Sequence, residues 1–353
     1  MAARTSVLST RWRNLSWLLP DLKLHVTDFL SAPCTGAAHT DQAMASLTRA
    51  TSSFLAQPRR EHTISTLCLK LYLMGNYSRD IGLLVSNAID SEMLKDLELA
   101  ILTEKEVKDS DNEVMLRQAR DVDGFFSEYP SVLRCLTRLH LHNVCFAERD
   151  MNHLLFDCCK QLLHLRLDHC DTGDLSVWKI NAPHSNLRVL EVYLSLKRAE
   201  VLCLPKLERV RWQEMFEHPC LDGDEARIRW CGAQRVEPSW KIPGFMSCQK
   251  WQLKEFQFGG FRPLLKHHLL FASTVMGRAP NLKTILLTDG EYPCKGCDAL
   301  IPIPPPVGGF FPRDRDTQEA IVKQLREIVQ SSAQIIFRGG STHPSRATWS
   351  CIY

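Results

Sequence analysis

Leu136-Thr137-Arg138-Leu139-His140-Leu141 decides how this chain is read, because its leucines fall at positions one, four and six of the phrase. Leu139 and Leu141 stand two apart, the spacing of side chains on one face of a strand, and the residues between them face the other way. The phrase returns as Leu162, Leu165, Leu167 and again as Leu187, Leu190, Val192. Its copies start at 136, 162 and 187, steps of 26 and 25 residues. A unit made of one strand and a return segment cannot bury its apolar face alone, so units at such a period stack on their neighbours. The expected product is a solenoid that binds a partner.

Working outward, weaker copies appear at Leu94, Leu97, Leu99, at Leu207, Val210, Trp212, at Leu253, Phe256, Phe258 and at Leu282, Ile285, Leu287. The period is that of leucine-rich repeats. Leu207 and Leu253 lie 46 residues apart, about two periods, and Glu214 to Pro243 holds no phrase, so one repeat is degenerate there or missing. Leu22, Leu24 and Val26 predict an opening strand, and Leu67, Leu69, Leu71 and Leu73 another. Ala43, Leu47, Ala50 and Phe54 predict one face of a helix, while 150–159 and 264–276 predict helices on the convex side. The 301–309 stretch is too rich in proline and glycine for regular structure. A helix over 317–329 carrying Ile321, Leu325, Ile328 and Val329 follows, then a strand over 334–337, and the tail from Gly339 is expected to fray as a disordered end.

Composition narrows the function classes. Of 353 residues, 44% are hydrophobic and 24% charged, which suits a folded chain. A net charge of +3 carries no nucleic-acid footprint and no attraction to anionic membrane. No apolar run approaches a membrane span, and the polar, arginine-bearing stretch after Met1 gives no expectation of a secretory leader. Several of the fourteen cysteines sit inside apolar phrases, among them Cys135, Cys145 and Cys170. They read as reduced, buried small hydrophobes of a cytoplasmic or nuclear protein.

Chemical motifs are sparse. Cys294-Lys295-Gly296-Cys297 has zinc-knuckle spacing but lacks a second pair, and His267 and His268 point in different directions along one helix, so no metal site is expected. Cys158-Cys159 reads as core packing, and Asp121-Val122-Asp123-Gly124 as a solvated turn without the later ligands of a calcium loop. No catalytic residue and no cofactor is expected, since none of the phosphate, nucleophile-elbow or metalloprotease motifs occurs. The polar positions of the strand phrases matter more. By alternation, Arg138, His140 and His142, then Arg166 and Asp168, then Arg188 and Glu191, then Arg209 and Arg211 are expected on the concave, partner-facing side. Arginines there would suit an acidic or phosphorylated partner, or would simply keep a solvated face charged. Val7, Leu8, Leu15, Leu18 and Leu19 predict a short helical piece that Pro20 ends, with Arg4, Arg11 and Arg13 on a solvated face.

That opening, Ala2-Ala3-Arg4-Thr5-Ser6-Val7-Leu8-Ser9-Thr10-Arg11-Trp12-Arg13-Asn14-Leu15, resembles the second half of a plant F-box. The stretch from Trp251 to Leu287, with Gly260-Phe261 and Arg278-Ala279-Pro280-Asn281-Leu282, resembles the FBD module that ends such proteins. Nearly the whole chain is thus similar to grass-type F-box, leucine-rich-repeat proteins. The resemblance implies an α/β leucine-rich-repeat solenoid preceded by a partial helical F-box: residues 1–20 the F-box piece, 21–250 the repeats, 251–338 the FBD-like region and 339–353 the tail. It implies a non-enzymatic substrate-recognition subunit of an SCF-type ubiquitin ligase. Val7, Leu8, Trp12, Leu15 and Trp17 would face a Skp1-like adaptor, and the repeats would hold an unknown target protein. The family's first F-box helix has no counterpart before Met1, and Ser16 stands where the family has an aromatic, so adaptor binding is expected to be weakened. A stand-alone interaction solenoid or decoy is the alternative.

Overall fold

Each leucine phrase folds as a parallel strand. The computed structural model describes residues 20–30, 37–55, 63–103, 112–146, 152–172, 178–193, 199–213, 218–221, 228–231, 251–289 and 311–339. Two units divide the chain, one formed by 1–176 with 184–187 and the other by 177–183 with 188–353. The chain is α/β, and in each unit the strands of the large ladder run parallel without closing into a barrel. The 1–19 helical piece, Cys294 and Cys297, the 301–309 loop and the tail beyond Gly339 lie outside the described residues.

In the first unit β1 (Asp21–His25), β2 (Ile64–Tyr72), β3 (Leu94–Leu102), β4 (Leu136–His142) and β5 (His164–Asp168) pair in chain order. Their register stacks the phrases directly: Leu69 beside Leu99, Leu99 beside Leu139, Leu139 beside Leu165, and in the next row Leu71, Ile101, Leu141 and Leu167. All eight are buried. Each such leucine contributes roughly 1.5 to 3 kcal/mol relative to exposure, which is why the register is held against a one-residue slip. Among the described residues this unit carries the α-helices α1 (Ala37–Leu55), α2 (Gly75–Asp90), α3 (Asn112–Glu128) and α4 (Pro130–Cys135). α1 lies against β1, β2 and α2, and α2 lies against β3 and α4.

Several expectations are corrected here. α1 buries Ala43, Met44, Leu47, Thr51 and Leu55, whereas Ala50 and Phe54 are half-exposed, because the buried stripe lies a step round from the expected one. Leu73 falls past the end of β2, and Val26 lies in a 3₁₀ turn, not in β1. Asp121 to Gly124 is no turn but part of α3, where Ala119, Val122 and Phe126 repeat at helical spacing and are buried. Between 150 and 159 the described residues form one π-helical turn, His153–Cys158.

In the second unit β7 (Val189–Tyr193) pairs with β9 (Arg209–Gln213), β9 with β12 (Glu255–Gly259), β12 with β13 (Thr284–Thr288) and β13 with β14 (Gln334–Arg338). The 46-residue gap therefore removes no strand from the ladder. Val210 sits beside Phe256 and Trp212 beside Phe258, and the intervening chain holds an antiparallel pair, β10 (His218–Leu221) with β11 (Ile228–Cys231). A second small parallel pair joins β6 (Trp178–Asn181) to β8 (Ala199–Cys203). Helix α5 (Lys266–Arg278) sends Phe271 edge-on to Trp212, Phe256 and Phe258. Helix α6 (Arg315–Ile328) starts at Asp314, whose carboxylate accepts the Thr317 amide hydrogen at 2.7 Å, and buries Ile321 and Leu325 while leaving Ile328 exposed. Gly260 has φ +81°, which suits glycine alone, and turns the chain from β12 so that Gly260 and Phe261 donate to the Thr288 carbonyl.

Cys135, Cys145, Cys159 and Cys170 are buried free thiols, as the apolar setting implies, while Cys158 is half-exposed. Burial pushes the Cys135, Cys159 and Cys170 thiols up to about 12. Thiolate is the reactive form, so iodoacetamide at pH 8 is expected to leave these three unmodified in the native chain and to label them after denaturation, as mass spectrometry of the peptides would show. Native labelling of Cys170 as fast as Cys158 would contradict the burial. Among the described residues no helix is long and apolar enough to cross a membrane.

Candidate functional site

The strand residues that alternate with the leucines gather most densely at β3, β4 and β5. Register places Glu98 beside Arg138, His140 beside Arg166 and His142 beside Asp168. Arg138 Nε meets Glu98 Oε1 at 3.0 Å, and Arg166 Nη2 meets Asp168 Oδ2 at 3.1 Å. His140 Nε2 stands 3.7 Å from the same Oδ2, while His169 Nδ1 lies 2.8 Å from Oδ1. His142 Nδ1 is 2.6 Å from the Thr103 hydroxyl, and its ring meets the His169 ring at 5.5 Å between centroids.

Charge and burial follow from this packing. Burial lowers the pKa of both His140 and His142, the latter to about 4, so both imidazoles are neutral at pH 7. Burial alone would raise the Asp168 carboxyl, yet the His140 and His169 rings and the Arg166 guanidinium outweigh it and hold the group well below the usual carboxylate range. Asp168 is therefore an anion, with a side chain only 16% exposed, toward which three side chains converge.

Two features escape the alternation argument. His140 is buried instead of partner-facing, because neighbouring strands are close enough for the flanking polar side chains to cover it. Asn143 and His169, the residues just past β4 and β5, have φ of 59° and 52°. That left-handed backbone is uncommon outside glycine, and at His169 it brings the ring beside Asp168.

In the second unit Arg209 pairs with Glu255 at 2.7 Å and Arg211 lies 5.0 Å from the Tyr193 ring centroid, whose hydroxyl donates to Glu191 at 3.4 Å. Arg188 precedes β7 and is exposed; its carbonyl accepts from Glu208 and Arg209. The expected column of open arginines is thus largely a set of internal ion pairs and one ring stack. His268, considered above as a metal ligand, is buried, and its Nδ1 accepts the Arg262 amide hydrogen at 3.0 Å, a structural task. The adaptor-facing candidates Val7, Leu8, Trp12, Leu15 and Trp17 lie outside the described residues. Comparison of the chain with models of known families, with curated proteins and with solved structures gave no match.

Proposed function

We propose that this chain is a protein-recognition subunit of an SCF-type ubiquitin ligase, built as a leucine-rich-repeat solenoid that holds a target protein and reaches a Skp1-like adaptor through its first twenty residues. The observation that carries the reading is the parallel ladder of leucine phrases, which buries the leucine face of each strand while the residues that alternate with the leucines, many of them polar, differ from step to step. Repeating elements of this kind build extended binding surfaces. The F-box-like text at Ala2 to Leu15 supplies the ligase half of the proposal.

Calorimetric titration of the full chain with a Skp1-like adaptor tests it. Binding at micromolar Kd or tighter, about −8 kcal/mol or better, is the expected result, and Trp12→Ala should weaken it at least tenfold. An adaptor that binds wild type and Trp12→Ala alike, or neither, overturns the ligase reading and leaves a stand-alone interaction module.

A further inference from the structure

The geometry points to a divalent-metal site of zinc type at His142, Asp168 and His169. One donor atom from each residue lies within 4.8 Å of the other two. Two imidazoles and one carboxylate form the donor set of late first-row ions such as zinc, nickel and cobalt, and three protein ligands leave a position open to water or to a side chain of a bound partner. Zinc holds nitrogen and oxygen donors at about 2.0 to 2.2 Å, so its ligand atoms sit about 3.4 Å apart and modest side-chain rotation closes the present triangle.

The surroundings fit ligation. His142 Nδ1 is engaged with Thr103 at 2.6 Å. With the Nδ1 proton given to that hydroxyl, Nε2 is the lone-pair nitrogen, and the threonine holds the ring as outer-shell partners of metal-bound histidines do. Asp168 divides its oxygens: Oδ2 faces Arg166 and His140, and Oδ1 faces His169. Oδ1 is therefore the ligand atom, and Arg166 orients the carboxylate through its other oxygen while limiting affinity for a cation. His169 contributes through its left-handed backbone, a local conformation of the kind that clusters at ligand-holding sites. The side chains of Asp168 and His169 are 16% and 15% exposed, sheltered yet within reach of solvent. His142 and Asp168 stand 26 residues apart, one repeat, so the stacking of two copies creates the pair.

The test uses the full chain, stripped of metal by a chelator, and Zn²⁺ alone as the probe. Because Cys294-x-x-Cys297 offers thiolates, the titrations are run on the Cys294→Ser, Cys297→Ser background. One zinc per chain is expected there, and His142→Ala should weaken it at least tenfold. His169→Asn provides the folded control, since asparagine tolerates the left-handed backbone, and it too should lose at least tenfold with an unchanged melting curve. Co²⁺ should give weak ligand-field bands without thiolate charge transfer. Unchanged zinc affinity in His169→Asn, or a cobalt spectrum dominated by thiolate, overturns the site. Adaptor titration is a separate readout, so either proposal stands or falls without the other.

Discussion

Replacing Asp289 by alanine is expected to destabilise the second unit by about 3 to 5 kcal/mol, the cost of breaking a buried ion pair from one side. Arg262 is among the largest fully buried side chains, 1% exposed, and its Nη1 donates to Asp289 Oδ1 at 2.8 Å and to the Phe261 carbonyl at 3.1 Å. Without the carboxylate a guanidinium stays inside the protein with its countercharge gone. Arg313 also reaches Asp289, at 3.3 Å, but its side chain is 75% exposed. Arg313→Ala should therefore cost less than about 1 kcal/mol. Urea denaturation of the two variants, followed by amide exchange on β12 and β13, measures the difference. Equal losses would mean that the buried pair contributes no more than the surface one. Arg262→Met, which removes the charge and keeps the bulk, should be tolerated better than Asp289→Ala.

Leu141→Ala in β4 should cost the first unit about 2 to 5 kcal/mol, the transfer free energy of the lost atoms plus that of the cavity left behind. Leu141 is fully buried, with Ile101 on one side and Leu167 on the other, both also fully buried. Leu163, which lies just before β5, is 39% exposed, and Leu163→Ala should stay within about 1 kcal/mol. Denaturation with amide exchange read on β3, β4 and β5 tests the contrast. Similar losses at 141 and 163 would contradict the burial of the leucine face on which the ladder rests.

The candidate site was legible only in part. Alternation places Arg138, Arg166 and Asp168 off the leucine face, and the repeat spacing brings His142 beside Asp168 once the strands stack. What alternation does not contain is who pairs with whom: Glu98 and Glu255 capture Arg138 and Arg209, although neither glutamate belongs to the expected polar column. Composition misleads at Asp121 to Gly124, where turn-favouring residues sit in a helix because Val122 anchors that stretch in the core. Helix α2 carries Ile81, Val85 and Ala88 at clear helical spacing, a signal present in the text.

By itself the sequence determined the strands that carry a leucine phrase, their period and which of their side chains are apolar, but not the short pairs β6 with β8 and β10 with β11. Those properties are local: a two-residue alternation and a step near 26 residues decide them wherever the chain lies. Only the tertiary structure decided that the phrases starting at Leu207 and Leu253 place Val210 and Phe256 on adjacent strands, that His140 is buried, and that Arg262 and Asp289 meet in the interior. Each of those depends on the register between segments and on which neighbour covers a side chain, and burial and pairing are properties of neighbours that no single segment specifies.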